Sequence, residues 1–216
     1  TPEDTQKAID FGAEGIGLTR TEHMFFDPER LPVVQEMIIA QNDEDRQKAI
    51  DELLPMQKKD FKELYKVMEG RTITIRLLDP PLHEFAPTEE ETQEDLSERL
   101  GISVEEIQKR VARLEEANPM LGHRGCRLGI TYPEIYKMQV KAILEAAQEV
   151  KEEGTPVEPH IMVPLIGNVT EFKEVKDEVV EPVEEEVFSE GEEVDYQVGT
   201  MIEIPRAALT ADKIAE

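Results

Sequence analysis

Four charged side chains of this sequence lie beside apolar or glycine-rich segments with few charges of opposite sign nearby. Arg20 and Arg76 occur at or near the ends of two apolar segments, Arg124 lies in a glycine-rich passage, and Glu203 stands alone in a further apolar segment. A guanidinium group is planar and binds phosphate or carboxylate through two parallel hydrogen bonds. A carboxylate in apolar surroundings either pairs with an arginine or binds a hard cation. These residue types therefore indicate an anion-binding site with room for a divalent cation.

Each of these charges also has a purely structural explanation. Arg20 has Glu22 two residues away, and Arg76 has Asp79 three residues away, so both arginines could be held in ion pairs. An unpaired charge within an apolar strand is very costly, so Arg76 must either pair or line a polar cavity. Glu203 alone supplies half a metal site at best, because Mg²⁺ is usually held by one or two carboxylates together with substrate oxygens.

The histidines and the single cysteine predict no catalytic nucleophile or zinc site. Cys126 lies among apolar residues, where a thiol is buried and protonated, and His123 nearby does not make it a catalytic pair. We interpret Cys126 as structural and His23 as a packing residue. One cysteine excludes an internal disulfide and is typical of a reducing compartment, which predicts a cytoplasmic location.

The composition predicts one globular domain with a strongly acidic surface. The chain has 216 residues, of which 39% are hydrophobic and 34% charged, and a net charge of −25. This charge argues against nucleic acid and anionic membrane as partners, and no apolar run is long enough to span a bilayer. Residues 145–195 hold 17 acidic residues against three lysines, whereas the arginines above have few acids near them. Such a distribution suits an anion pocket, but an ordinary solubilising or salt-adapted surface would also produce it.

Helical and strand-like segments alternate along the chain, which predicts an α/β protein with a parallel sheet covered on both faces. Helices separate five strand-like segments: 15–19, 72–78, 126–130, 160–166 and 196–204. Polar residues at the ends of these strands predict a (β/α)8 TIM barrel, present as about five parallel strands with a helical hairpin inserted at about 88–117. A doubly wound open sheet is the alternative, although no Gly-x-Gly-x-x-Gly follows the first strand.

Three segments together resemble the phosphoenolpyruvate-utilising enzyme family over essentially the whole chain: 15–26 (GIGLTRTEHMFF), 118–127 (NPMLGHRGCR) and 201–207 (MIEIPRA). Residues 76–85 (RLLDPPLHEF) and the acidic hairpin are similar to the pyruvate, phosphate dikinase branch of that family. Phosphoenolpyruvate synthase and enzyme I of the sugar phosphotransferase system are the alternatives within the family. A pyruvate-binding lyase, or an acidic scaffold without activity, are the alternatives outside it.

The resemblance implies a barrel that interconverts pyruvate and phosphoenolpyruvate, using a phosphohistidine carried on another domain of the full-length chain. The complete dikinase reaction converts ATP, phosphate and pyruvate to AMP, diphosphate and phosphoenolpyruvate. Arg20 and Arg76 match the phosphate-binding arginines of the family, and Arg124 matches a third arginine near the same site. Glu203 matches one of two acids that bind Mg²⁺, whose ion also holds substrate oxygens.

The resemblance also implies that residues 1–216 are one part of the barrel domain. The first strand and the phosphohistidine and ATP-binding domains are expected before Thr1. The last two strands, the second metal acid and the proton-donating cysteine are expected after residue 216. This chain alone is therefore predicted to be inactive, with no catalytic proton donor of its own, and the full-length protein is predicted to form a homodimer.

Overall fold

The fold is taken from a computed structural model, which describes residues 1–115, 118, 120, 122–189 and 191–216. Four strands form one parallel sheet, in the same order in space as in sequence. They are β1 (Ile16–Arg20), β2 (Thr72–Arg76), β3 (Glu158–Val163) and β4 (Gln197–Thr200). The α/β class and the neighbour-beside-neighbour order are as predicted, and the described strand order does not reverse as it would in a doubly wound sheet.

The predicted strand at 126–130, the third of the five, is wrong because this segment is a helix. A short apolar run fits a buried strand and a buried helix equally well, so its pattern could not decide between them. In the structure the backbone turns at Gly125, whose φ is +58°, and the N–H of Cys126 donates to the carbonyl of Pro164 at 3.0 Å. Residues 126–131 then form a helix whose C-terminal end is capped by a bond from the N–H of Tyr132 to the carbonyl of Leu128.

Helices connect the strands of this sheet and carry most of the charge. In chain order they are α1 (Pro2–Asp10), α2 (Glu22–Phe25), α3 (Leu31–Ile39), α4 (Asp43–Met68), α5 (Glu90–Leu100), α6 (Val104–Leu114), α7 (Cys126–Thr131), α8 (Pro133–Glu152), α9 (Val169–Val175), α10 (Glu181–Ser189), α11 (Pro205–Leu209) and α12 (Ala211–Ala215). A 3₁₀ turn (Leu82–Phe85) follows β2, and a π turn (Lys176–Val180) joins α9 to α10. No helix in the described ranges is long and apolar enough to cross a membrane.

The inserted helical hairpin is formed by α5 and α6. The side chain of Ser103 accepts a hydrogen bond from the N–H of Glu106 and so starts α6, while Gly101, with φ +65°, ends α5. Residues 116 and 117, at the predicted end of the hairpin, lie outside the described residues. Helices α5 and α6 thus lie within the predicted range 88–117, although α5 begins after Glu89, which makes no side-chain capping bond.

The core lies between the sheet and the two longest helices. Ile73 and Ile75 of β2 and Ile161 and Val163 of β3 are at most 1% exposed, and α4 and α8 pack against these strands and against each other. Pro55 lies inside α4, which continues through it as one helix. At the outer edge of the α4–α8 contact, lysines one turn apart on α4 bind glutamates one turn apart on α8, at 2.7–3.1 Å: Lys58, Lys62, Lys66, Glu145, Glu149 and Glu153.

Strand register places the predicted site residues at one edge of the sheet. Arg20 is paired with Arg76 across β1 and β2, and Arg76 with Met162 across β2 and β3. Paired residues on neighbouring parallel strands point to the same face, so both arginines end their strands on the same side. Glu203 follows β4 by three residues and does not lie in a strand, because β4 ends at Thr200. This corrects the predicted strand 196–204.

Candidate functional site

A buried cluster of two arginines and two carboxylates lies where β2 ends. Arg76 donates from Nη2 to Glu22 Oε1 at 2.5 Å, and its Nη1 lies 3.1 Å from Asp79 Oδ2. Asp79 also accepts from Arg124, whose Nη2 lies 2.6 Å from Oδ2 and whose Nε lies 3.3 Å from Oδ1. Asp79 is 3% exposed, and Arg76 and Glu22 are each 7% exposed. The cluster is therefore desolvated, and its formal charges cancel.

Arg76 is held by its backbone as well as by its ion pairs. Its carbonyl accepts a hydrogen bond from the buried hydroxyl of Thr21 at 3.0 Å, which joins the end of β2 to the start of α2. The next residue, Leu77, donates its N–H to the carbonyl of Met162 at 3.0 Å. Nη1 of Arg76 also lies 3.9 Å from the sulfur of Met201, just after β4. Contacts to β1, β3 and β4 segments thus fix the guanidinium group at the sheet edge.

Two polar atoms of this cluster have no hydrogen-bond partner within the described ranges. They are Nε of Arg76 and Oε2 of Glu22, and both are buried. A buried donor without a partner costs free energy, which a bound acceptor would recover. Nε of Arg76 is therefore a donor whose hydrogen-bonding capacity is not used by the described residues.

Arg124 reaches Asp79 because the following glycine permits a close turn. The N–H of Gly125 donates to the backbone carbonyl of Asp79 at 2.9 Å, beside the side-chain pair made by Arg124. Gly125 has φ +58°, and a Cβ at this position would lie 2.7 Å from Cβ of Leu165. Only glycine satisfies both conditions at low cost, so it sets how near Arg124 comes to the β2 end.

Glu203 is anchored to the loop after β3. Its Oε1 accepts a hydrogen bond from the N–H of Leu165 at 2.7 Å. Leu165 has φ +64°, an uncommon conformation for a leucine, and its carbonyl accepts from Sγ of Cys126 at 3.3 Å. Burial raises the pKa of Cys126 to about 12, with a smaller contribution from the charge of Glu171. The thiol is thus a protonated donor, as the structural interpretation of Cys126 requires, and not a nucleophile.

Arg20 is the exposed member of the predicted set. Its side chain lines a cleft of about 370 Å³ between the end of β1 and the first turn of α1, together with His23 and Thr5. Within the ranges that the structure describes, Arg20 makes no ion pair or side-chain hydrogen bond. Glu22, which the sequence offered as its partner, pairs with Arg76 instead. The alternative of an Arg20–Glu22 pair is therefore wrong, whereas the alternative of an Arg76–Asp79 pair is confirmed.

The structure joins Arg76 and Arg124 through Asp79, places Arg20 beside Arg76 in register, and places Glu203 on a neighbouring loop. Sequence reasoning missed Glu22 as a member of the cluster. It lies two residues after Arg20 in sequence, but the helical turn at α2 directs it toward β2, which no local pattern indicates.

The described residues include no group of three or more histidine, cysteine, aspartate or glutamate side chains that could hold a metal ion. Glu203 offers one carboxylate, of which one oxygen is occupied by the N–H of Leu165. A divalent cation at Glu203 would therefore need most of its ligands from a substrate, from water or from other residues. The remaining carboxylate oxygen of Glu203 is chemically suited to be one ligand of a Mg²⁺ ion.

Comparison with known proteins identifies the chain's relatives. The sequence profile of the family described as "PEP-utilising enzyme, PEP-binding domain" matches residues 1–216. Pyruvate, phosphate dikinase of Clostridium symbiosum is 56% identical over 217 residues, covering 100% of this chain and 25% of the relative. The dikinase of Rhizobium meliloti is 54% identical over 218 residues and covers the same 100% of this chain and 24% of itself. The chloroplastic dikinase 1 of Arabidopsis thaliana is 51% identical over 219 residues, or 100% of this chain and 23% of the relative. The chain thus spans about a quarter of the length of these relatives.

Proposed function

Because the chain belongs to the phosphoenolpyruvate-utilising enzyme family and matches its PEP-binding domain, we propose that it binds phosphoenolpyruvate and pyruvate as part of a pyruvate, phosphate dikinase. In that protein a phosphohistidine on another domain would exchange its phosphoryl group with pyruvate, while ATP and phosphate react elsewhere. The overall conversion would be ATP, phosphate and pyruvate to AMP, diphosphate and phosphoenolpyruvate. Identity of 51–56% to dikinases from two bacteria and a plant supports this branch over phosphoenolpyruvate synthase or enzyme I.

The architecture proposed for the complete domain is the (β/α)8 barrel. Four parallel strands in sequential order, with helices packed outside them, support this fold. The candidate site lies at the C-terminal ends of the strands, where barrel enzymes carry their active sites. The strands expected before β1 and after β4 would close the barrel. We also propose that the full-length protein carries a phosphohistidine domain, forms a homodimer and is located in the cytoplasm.

The observation that carries the proposal is the buried guanidinium of Arg76, whose Nε has no hydrogen-bond partner among the described residues, at the edge where Arg20 also ends its strand. Phosphoryl transfer depends mainly on positioning and on neutralising charge, for which rigid guanidinium donors are suited. We assign Arg76 and Arg20 to the phosphoryl group. Arg124 holds Asp79 in place and lies on the border of the same site.

Glu203 is assigned to Mg²⁺. When bound there, Mg²⁺ would neutralise the carboxylate and enolate oxygens of the substrate. Leu165 and Cys126 keep the carboxylate of Glu203 oriented through the two peptide groups of Leu165. The second acid that Mg²⁺ requires is expected from the part of the dikinase that follows this chain.

Replacement of Arg76 by lysine in the full-length protein tests the assignment. Lysine keeps the charge but loses the planar donor set, so we expect the phosphoenolpyruvate-to-pyruvate half-reaction to slow by about 100-fold. Arg71→Lys is the matched control, because Arg71 lies just before the same strand and contacts only residues outside the site, the half-exposed Glu69 and the carbonyl of Met68. A half-reaction that is equally fast in both variants would contradict the assignment of Arg76 to the phosphoryl group, whereas a full-length wild-type protein without any half-reaction would favour a scaffold without activity.

A further inference from the structure

The peptide of Leu78, the residue before Asp79, is held on both sides by side chains of α8. Its N–H donates to Oε1 of Gln139 at 2.8 Å, and its carbonyl accepts from the hydroxyl of Tyr136 at 2.8 Å. Leu78, Gln139 and Tyr136 are all 0% exposed. Helix α8 therefore fixes the position and the orientation of the backbone that carries Asp79.

Gln139 is in turn held by a second buried amide. Its Nε2 donates to Oε1 of Gln57 on α4 at 3.3 Å, and Nε2 of Gln57 lies 3.7 Å from the sulfur of Met24 on α2. Gln57 is also 0% exposed. Because Met24 lies two residues after Glu22, this row of polar groups runs from α2 to the loop after β2. The two segments that carry the carboxylate partners of Arg76 are thus joined by one buried hydrogen-bond network.

A network of this kind has a cost that apolar packing would avoid. Buried amides must be fully paired, because each unpaired group costs free energy comparable to the bond it lacks. In an otherwise apolar contact between α4 and α8, leucine at position 139 would pack without that requirement. Gln139 contributes a directional interaction that leucine lacks, because only a hydrogen-bond acceptor at this place fixes the orientation of the N–H of Leu78.

We propose that Gln139 and Tyr136 are positioning residues for the phosphate site. They hold Leu78 so that Asp79 binds Arg76 and Arg124 at the same time, which fixes the guanidinium of Arg76 at the phosphate site. This inference rests on the proposed function, because it takes Arg76 as a ligand of the phosphoryl group. Neither residue touches the substrate, so both act through the loop after β2.

Tyr136→Phe, compared with Tyr65→Phe, is the first test in the full-length protein. Tyr65 is also a buried tyrosine whose hydroxyl donates to a backbone carbonyl, that of Ile143 at 3.2 Å, but Ile143 lies in the middle of α8 and not in the site loop. Both variants lose one buried hydrogen bond. We expect only Tyr136→Phe to raise the KM for phosphoenolpyruvate, by about fivefold, which is the factor that one such bond would account for.

Gln139→Leu and Gln139→Glu form the second test. Leucine removes the acceptor for Leu78, and we expect the KM to rise by about tenfold. A glutamic acid at this buried place has a raised pKa, so at the acid end of the activity range it is neutral, accepts from Leu78 and donates to Gln57. Its KM in acid should therefore lie near that of the wild type at the same pH, and well below the KM of Gln139→Leu.

The outcomes separate this inference from the proposed function. If Arg76→Lys slows the half-reaction but Tyr136→Phe behaves as Tyr65→Phe does, the positioning role is wrong and the site assignment stands. If Arg76→Lys has no effect, the assignment of Arg76 to the phosphoryl group fails, and the positioning role of Gln139 and Tyr136 fails with it. Should Gln139→Leu not fold, the tyrosine pair and Gln139→Glu decide, and a KM of Gln139→Glu that is raised about tenfold in acid contradicts the inference.

Discussion

At Arg76, two carboxylates from different segments compensate one buried guanidinium. An arginine in this environment without partners would be strongly destabilising, and Glu22 and Asp79 remove that penalty. Asp79 is shared with Arg124, so the four side chains carry no net charge. Among the arginines at this edge, Arg20 is the one that has no carboxylate partner among the described residues. A dianionic ligand would find rigid donors from Arg76 and uncompensated charge from Arg20.

The thiol of Cys126 offers a test at the level of a single residue. Burial raises its pKa to about 12, so at pH 8 it is protonated, and it is 0% exposed. We expect a thiol reagent such as dithionitrobenzoate to leave this cysteine unmodified in the folded chain at pH 8 and to modify it fully in denaturant. Rapid stoichiometric reaction of the folded chain would show that the thiol is accessible, and would contradict its role as donor to Leu165.

The residue types and their apolar surroundings predicted part of the candidate site. Arginines among apolar residues indicate a paired or ligand-binding charge wherever they occur, which singled out Arg20 and Arg76. The pair between Arg76 and Asp79 was foreseeable because both lie in one segment. The contacts of Glu22 with Arg76, and of Arg124 with Asp79, span 54 and 45 residues of sequence, and such pairs follow only from the tertiary fold.

Among the elements, the tight turn before α7 links the halves of the site. Arg124 and Gly125 bind Asp79 after β2, whereas Cys126 binds Pro164 and Leu165 after β3, and Leu165 binds Glu203. The separation between the arginine cluster and Glu203 is thus set by a few residues. Sequence reasoning placed a strand here, because glycines followed by apolar residues suit either element, and the bonds that select a helix are made to the distant loop after β3.

Gly125→Ala tests how closely this turn is packed. The alanine would have φ +58° and a Cβ 2.7 Å from Cβ of Leu165, so we expect the free energy of unfolding to fall by about 3 kcal/mol or more. Gly101→Ala is the control, since Gly101 has a similar φ of +65° but open space around it, and should cost about 1 kcal/mol. Urea unfolding of both variants measures the difference. Equal losses would show that Leu165 does not pack against the turn.

Over the whole molecule, the strand order and the α/β class followed from the sequence, whereas the strand count did not. Alternation of apolar and helical segments determines which elements are neighbours, and it is insensitive to the nature of one short segment. The net charge of −25 would repel an anionic ligand at long range, but salt screens such repulsion beyond about 8 Å at physiological ionic strength. Binding of an anion at the proposed site would therefore depend mainly on the local donors at the sheet edge.

A crystal structure of the full-length protein with phosphoenolpyruvate and Mg²⁺ bound is the most direct test of the proposed substrate site. We expect the phosphoryl oxygens within hydrogen-bond distance of Nε of Arg76 and of the guanidinium of Arg20, and Mg²⁺ bound to the carboxylate of Glu203. A ligand bound at another edge of the sheet, with Nε of Arg76 still unpartnered, would contradict it.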